Sequence, residues 1–94
     1  MSTVVRGDFE WDDEKAGSNL AKHGVAFDEA ALTMKDPLSL DFDDSIEPDN
    51  LITLAASPTG RILYIVSTVQ NERIRTISAR EATAGERRRY EETD

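Results

Sequence analysis

Seven arginines lie between Arg61 and Arg89, and the only histidine, His23, follows Lys22 in the other half of the chain. Guanidinium groups bind phosphate bidentately and stay charged at any working pH, so arginines gathered on one surface suit a phosphodiester. Histidine is the side chain whose unperturbed titration falls near neutrality, which makes it a natural proton carrier. Each arginine can equally pair with one of the 19 carboxylates, and a histidine at a helix end can serve only to bond the last carbonyls. Other templates fail. The five glycines are scattered and form no phosphate loop, and one histidine without any cysteine leaves no zinc-type cluster. Asp41, Asp43, Asp44, Glu47 and Asp49 are dense in carboxylate but lack the spacing and the glycine of a calcium loop. No cofactor or metal is expected.

Charge is unevenly spread. Residues 1–50 hold 13 acids and 4 bases, and residues 51–94 hold 6 acids and 7 bases, so nets of −9 and +1 make up the total of −8. That total argues against loose binding to nucleic acid, while the arginine half offers a polar surface to a specific partner. A chain of 94 residues reads as one domain, 1–94. No apolar run reaches bilayer length, so no membrane is expected. The start, Met-Ser-Thr-Val-Val-Arg-Gly-Asp, lacks a secretory apolar stretch, so the expected compartment is the cytoplasm.

The elements that must position these groups follow from local pattern. Phe9-Glu10-Trp11 is a short strand or an extended lead-in. Asp12-Asp13-Glu14 opens a helix over Asp13–His23, with Ala16, Leu20 and His23 on one stripe and Lys15, Asn19 and Lys22 on the next. Gly24 is the left-handed stop. A second, two-turn helix buries Ala30, Ala31 and Met34, with Phe27 packing back, and ends at Asp36-Pro37. Strands are expected over Leu38–Phe42, Leu51–Ala56, Arg61–Val69 and Arg73–Ala79, with a solvated acidic loop before the second and Asn71 at positive φ before the last. Thr83 and Glu86 form a capping box that opens a final helix to about Glu92. Two helices, an antiparallel meander of about four strands and a closing helix make an α+β fold. Regular alternation in the last strand puts Arg73, Arg75, Ile77 and Ala79 on one face and Ile74, Thr76, Ser78 and Arg80 on the other. Arg75 and Arg80 then share a site only if the chain bends, or if Arg80 works from the strand–helix junction.

The whole pattern resembles a known family. Phe9-Glu-Trp-Asp, then Asn19-Leu-Ala-Lys22-His23-Gly24-Val-Ala-Phe27-Asp-Glu-Ala30 and Asp36-Pro37-Leu38, looks like the opening of BrnT-type toxins. Arg73-Ile-Arg75-Thr-Ile-Ser78-Ala79-Arg80-Glu-Ala-Thr83, with Glu86-Arg87 and Tyr90-Glu91, is similar to that family's C-terminal signature. The resemblance implies a RelE-related fold and a metal-independent ribonuclease toxin of a type II toxin–antitoxin pair, which arrests translation. It implies RNA as substrate and, as protein partner, a BrnA-like antitoxin, through which alone DNA is contacted. Carried over by position, Lys22, His23, Arg75 and Arg80 are the catalytic candidates. Arg61, Arg73, Ser78 and Tyr90 are the candidates for binding RNA phosphate. The chain departs from the family pattern at Gln70 and at Ala84-Gly85, where bases are frequent, and at Thr76, where an aliphatic is usual. An alternative of another class is a non-catalytic, attenuated domain that binds an antitoxin and acts in autoregulation, its acidic half recognising a basic segment of the partner.

Overall fold

A computed structural model describes residues 2–92; Met1, Thr93 and Asp94, which the single-domain reading includes, lie outside the described residues. The element order is β1 (Thr3–Arg6), β2 (Phe9–Asp12), α1 (Asp13–His23), α2 (Phe27–Thr33), β3 (Leu40–Asp43), β4 (Leu51–Ala56), β5 (Ile62–Gln70), β6 (Arg73–Glu81) and α3 (Ala84–Glu91). The class is α+β, as expected. The strand count differs: the meander β3–β6 is present, but the sheet has six strands in the order β1-β2-β6-β5-β4-β3. Phe9-Glu10-Trp11 is a true strand. It forms an antiparallel hairpin with β1, turned at Gly7 with φ of 61°, and runs parallel to β6 through Phe9–Ile74 and Glu10–Arg75. That parallel pair, remote in sequence, makes the sheet mixed.

Helices α1 and α2 cover one face. Their side of the core joins Val25, Phe27, Ala30 and Ala31 to Phe9, Trp11, Leu63, Ile65 and Ala79, with Trp11 and Phe27 edge to face at 6.1 Å. Asp12 caps α1 by accepting the Lys15 N–H at 3.0 Å, and Gly24 closes the helix at φ 70°. Of the two stripes of α1, the fully buried residue lies on that of Lys15, Asn19 and Lys22. Leu20 is 51% exposed, whereas Asn19 is buried. The reason is the surface that α1 meets, the edge of β6 beyond the reach of β2. The Asn19 amide donates to the carbonyls of Ala79 (2.8 Å) and Val25 (2.9 Å) and accepts the Ala79 N–H at 3.1 Å. One side-chain amide thus replaces a missing strand neighbour, and a leucine there would orphan three backbone groups.

β3 begins at Leu40 rather than Leu38, because Asp36 first forms a turn. Its side chain accepts the Leu38 N–H at 3.0 Å and its carbonyl accepts the Ser39 N–H at 3.1 Å. The β5–β6 hairpin turns on Asn71 and Glu72, both at positive φ, 54° and 63°. Such a pair of left-handed residues matches the right-handed twist of the flanking strands. The expected capping box at Thr83 and Glu86 opens α3, which lies against β4 and buries none of its residues fully. No helix among the described residues is long and apolar enough to cross a membrane.

Candidate RNA-facing site

β6 does not alternate regularly. Ser67 pairs with Thr76 and Val66 with Ser78, so Ile77 has no cross-strand partner and forms a bulge. Below it, Arg73 and Arg75 pair with Gln70 and Thr68; above it, Ser78 and Arg80 pair with Val66 and Tyr64. Gln70, Thr68, Val66 and Tyr64 alternate along β5 and share a face. Arg73, Arg75, Ser78 and Arg80 therefore share that face too, opposite α1 and α2. The regular alternation expected from the sequence is corrected here: one inserted residue brings the two halves of the strand into phase.

Each of these guanidinium groups is held. Arg75 donates to Glu10 at 2.6 Å, and Arg73 stands 4.0 Å from the same carboxylate, whose side chain is only 4% exposed. Arg80 lies 3.9 Å over the Tyr64 ring and makes a forked pair with Glu86 at 2.8 and 3.0 Å. That pair holds the Glu86 carboxyl below its ordinary range and raises the Arg80 guanidinium. Arg61 lies elsewhere, at the foot of β5. It donates to Glu29 at 2.5 Å and to the Gly24 carbonyl at 3.2 Å, tying the α1–α2 turn to the sheet. The bonds from Arg61 lower the Glu29 carboxyl.

Lys22 and His23 are exposed at the end of α1. With Lys15, Ser18, Asn19 and Ile77 they line a cleft of about 250 Å³ whose far wall includes Ser78. Ser78 thus belongs both to the arginine face and to the cleft. Asn19 sets this arrangement, since its bonds to Ala79 fix α1 against β6 one residue from Ser78.

Tyr90 is placed apart from the arginine cluster. Its hydroxyl donates to Asp36, which also accepts the Ala56 N–H at 2.9 Å, so α3 is fastened to the end of β4. Burial, and then the bond to Asp36, push the Tyr90 hydroxyl up to about 12. Arg87 and Arg88 are solvated, as expected for a helix face, while Arg89 stacks 4.4 Å over Phe42. Among the described residues, no three of histidine, cysteine, aspartate and glutamate group as a metal site.

Glu10 and Glu86, the arginines' partners, and Ser18 of the cleft carry no mark of these roles in the sequence. The Lys15, Asn19, Lys22 stripe carried a signal for the cleft, being the one face of α1 with cations on both sides of an amide.

Fold and surface together define a class: small α+β domains with two helices on one sheet face and a polar, arginine-bearing face opposite. A family model described as the ribonuclease toxin BrnT of type II toxin–antitoxin systems matches residues 11–86, and the chain belongs to that family. As a type II toxin it has a cognate antitoxin as partner. The crystal structure of the Brucella abortus ribonuclease toxin BrnT is similar in fold, with a TM-score of 0.64 and 22% identity, covering 78% of this chain and 92% of that one. No curated protein matches the sequence.

Proposed function

We propose that this chain, acting as one domain over 1–94, is an endoribonuclease that cleaves RNA without a metal and so inhibits translation. The observation that carries the reading is the Ile77 bulge, which gathers Arg73, Arg75, Ser78 and Arg80 on one face beside the cleft of Lys22 and His23. The ribose 2′-hydroxyl attacks the phosphorus, its oxygen forming the new bond as the 5′-oxygen leaves. One group takes the 2′ proton and another returns a proton to the 5′-oxygen. Lys22 and His23 are assigned these transfers. Arg75 and Arg80 stabilise the charge that builds on the phosphorane, commonly the largest catalytic contribution. Arg73 and Ser78 bind flanking phosphate oxygens. Arg61 and Tyr90, engaged with Glu29 and Asp36, support the site through the fold. In the cell the protein partner is a BrnA-like antitoxin that covers the toxin, with DNA reached only through it.

A second reading is favoured by one observation: Arg61, Arg75 and Arg80 each already hold a carboxylate. On that reading the chain is an attenuated toxin whose role is to bind its antitoxin. Induced expression without antitoxin separates the two. Growth arrest by wild type, abolished by His23→Ala or Arg80→Ala, supports the ribonuclease. Unimpeded growth together with co-purification of the neighbouring gene's product supports the binding domain.

A further inference from the structure

Two lysines, Lys15 and Lys22, reach the cleft between α1 and the β6 bulge, and His23 lies beside them. None of them forms an ion pair with a carboxylate among the described residues. No acid lines the cleft, in a chain whose net charge is −8. The sheet arginines differ, because an incoming phosphate must compete there with Glu10 and Glu86. Lys15 and Lys22 lie seven residues apart on α1, two turns and roughly 10.5 Å along the axis on nearly the same azimuth, with Ser18 between them. Asn19, clamped to Ala79, fixes that stripe against the strand.

We infer that Lys15 and Ser18, with Lys22, form the docking track for the backbone of a single RNA strand, leading it to Ser78 and the arginine face. This rests on the reading of the chain as an RNA-cleaving toxin and adds two residues to it. The lysines engage two different phosphates, and the Ser18 hydroxyl donates to an oxygen between them. A cleft of about 250 Å³ along one face of one helix is on the scale of a single strand's backbone. The recognised substrate is therefore unpaired RNA.

The test uses a fluorescent single-stranded oligonucleotide with 2′-O-methyl riboses, which binds but cannot be cleaved by 2′-hydroxyl attack. Its affinity is measured against salt for wild type, Lys15→Gln, Ser18→Ala and Lys35→Gln; Lys35 is an exposed control that does not line the cleft. For single strands the slope of log affinity against log salt changes by about 0.7 per phosphate contact. Lys15→Gln is expected to flatten the slope by about that amount and weaken binding several-fold. Ser18→Ala should weaken binding without altering the slope, Lys35→Gln should match wild type, and a duplex of the same sequence should bind less well. In cleavage assays Lys15→Gln should raise KM and leave kcat. A slope for Lys15→Gln equal to that of wild type, or no binding by any of the proteins, overturns the inference. Binding with the expected slopes but no RNA cleavage overturns the catalytic reading alone.

Discussion

Arg75 and Arg80 share a face of β6 because Ile77, between them, has no partner on β5. An odd separation would otherwise send them to opposite sides of the sheet. Both are anchored by carboxylates of other elements, Glu10 of β2, remote in sequence, and Glu86 of α3, the helix that follows β6. The site's two principal charges are thus oriented by the hairpin and helix that flank the meander. Such anchoring fixes where the guanidinium groups point, and it also sets what a phosphate must displace.

The Arg75–Glu10 pair has a cost when broken. Glu10 is nearly excluded from solvent, so Arg75→Gln leaves a buried carboxylate with only the 4.0 Å contact to Arg73. Unfolding in urea should show a loss of about 2–3 kcal/mol, at the low end for a broken buried pair because Arg75 itself is partly exposed. Glu10→Gln combined with Arg75→Gln should recover part of that loss. Additive losses in the double variant would show that the two side chains do not act as a pair.

The buried hydroxyl of Thr76 has no hydrogen-bond partner. Thr76→Val removes the orphaned hydroxyl at nearly the same volume and should stabilise the fold by about 1 kcal/mol. For a domain of this size that corresponds to a rise in Tm of roughly 4–8 °C. A fall in Tm would mean that the hydroxyl is satisfied in solution.

Glu72 occupies a left-handed conformation that L side chains adopt only with strain. Glu72→Gly makes the turn Asn-Gly and should stabilise by up to about 1 kcal/mol, measured by thermal unfolding. An unchanged or lower Tm would place the strain elsewhere.

Titration should act on both sides of neutrality. Glu29 and Glu86 have lowered native pKa values, so their stabilisation is present above the ordinary carboxylate range and is lost as pH falls through the depressed values. Glu29→Gln and Glu86→Gln should each flatten the acid limb of a stability–pH curve. Tyr90 is raised to about 12 from 10.0. Its contribution is complete below pH 10.0 and disappears as pH rises toward 12. Ultraviolet titration should find one tyrosine ionising near 12, absent in Tyr90→Phe; no tyrosine ionising near 12 in wild type would contradict this assignment.

Much of this was legible in the residues. The ends of α1, the Gly24 stop, the Thr83–Glu86 box and the left-handed Asn71 are local features, written within a few positions of where they act. What escaped depends on distant partners. Nothing near Phe9 announces a parallel pairing with Ile74, and nothing in the period of β6 announces a bulge at Ile77, since either neighbour could have been the unpaired one. The burial of Asn19 in place of Leu20 follows from the exposed edge of β6, which only the assembled sheet creates. The candidate residues were recognisable by type and family pattern; Glu10 and Glu29 become arginine partners only through tertiary pairing, whereas Glu86 lies six residues from Arg80.

On the proposed function, the arginine face and the Lys22–His23 cleft make one RNA-cleaving site. Purified wild type, His23→Ala and Arg80→Ala should be incubated with single-stranded RNA in EDTA and the fragment ends identified. Cleavage by wild type should leave 2′,3′-cyclic phosphate and 5′-hydroxyl ends, with a loss of at least about 100-fold in each variant, as expected for removing a general acid–base group or a transition-state cation. Intact RNA with wild type, or equal cleavage by all three proteins, would contradict the proposed function.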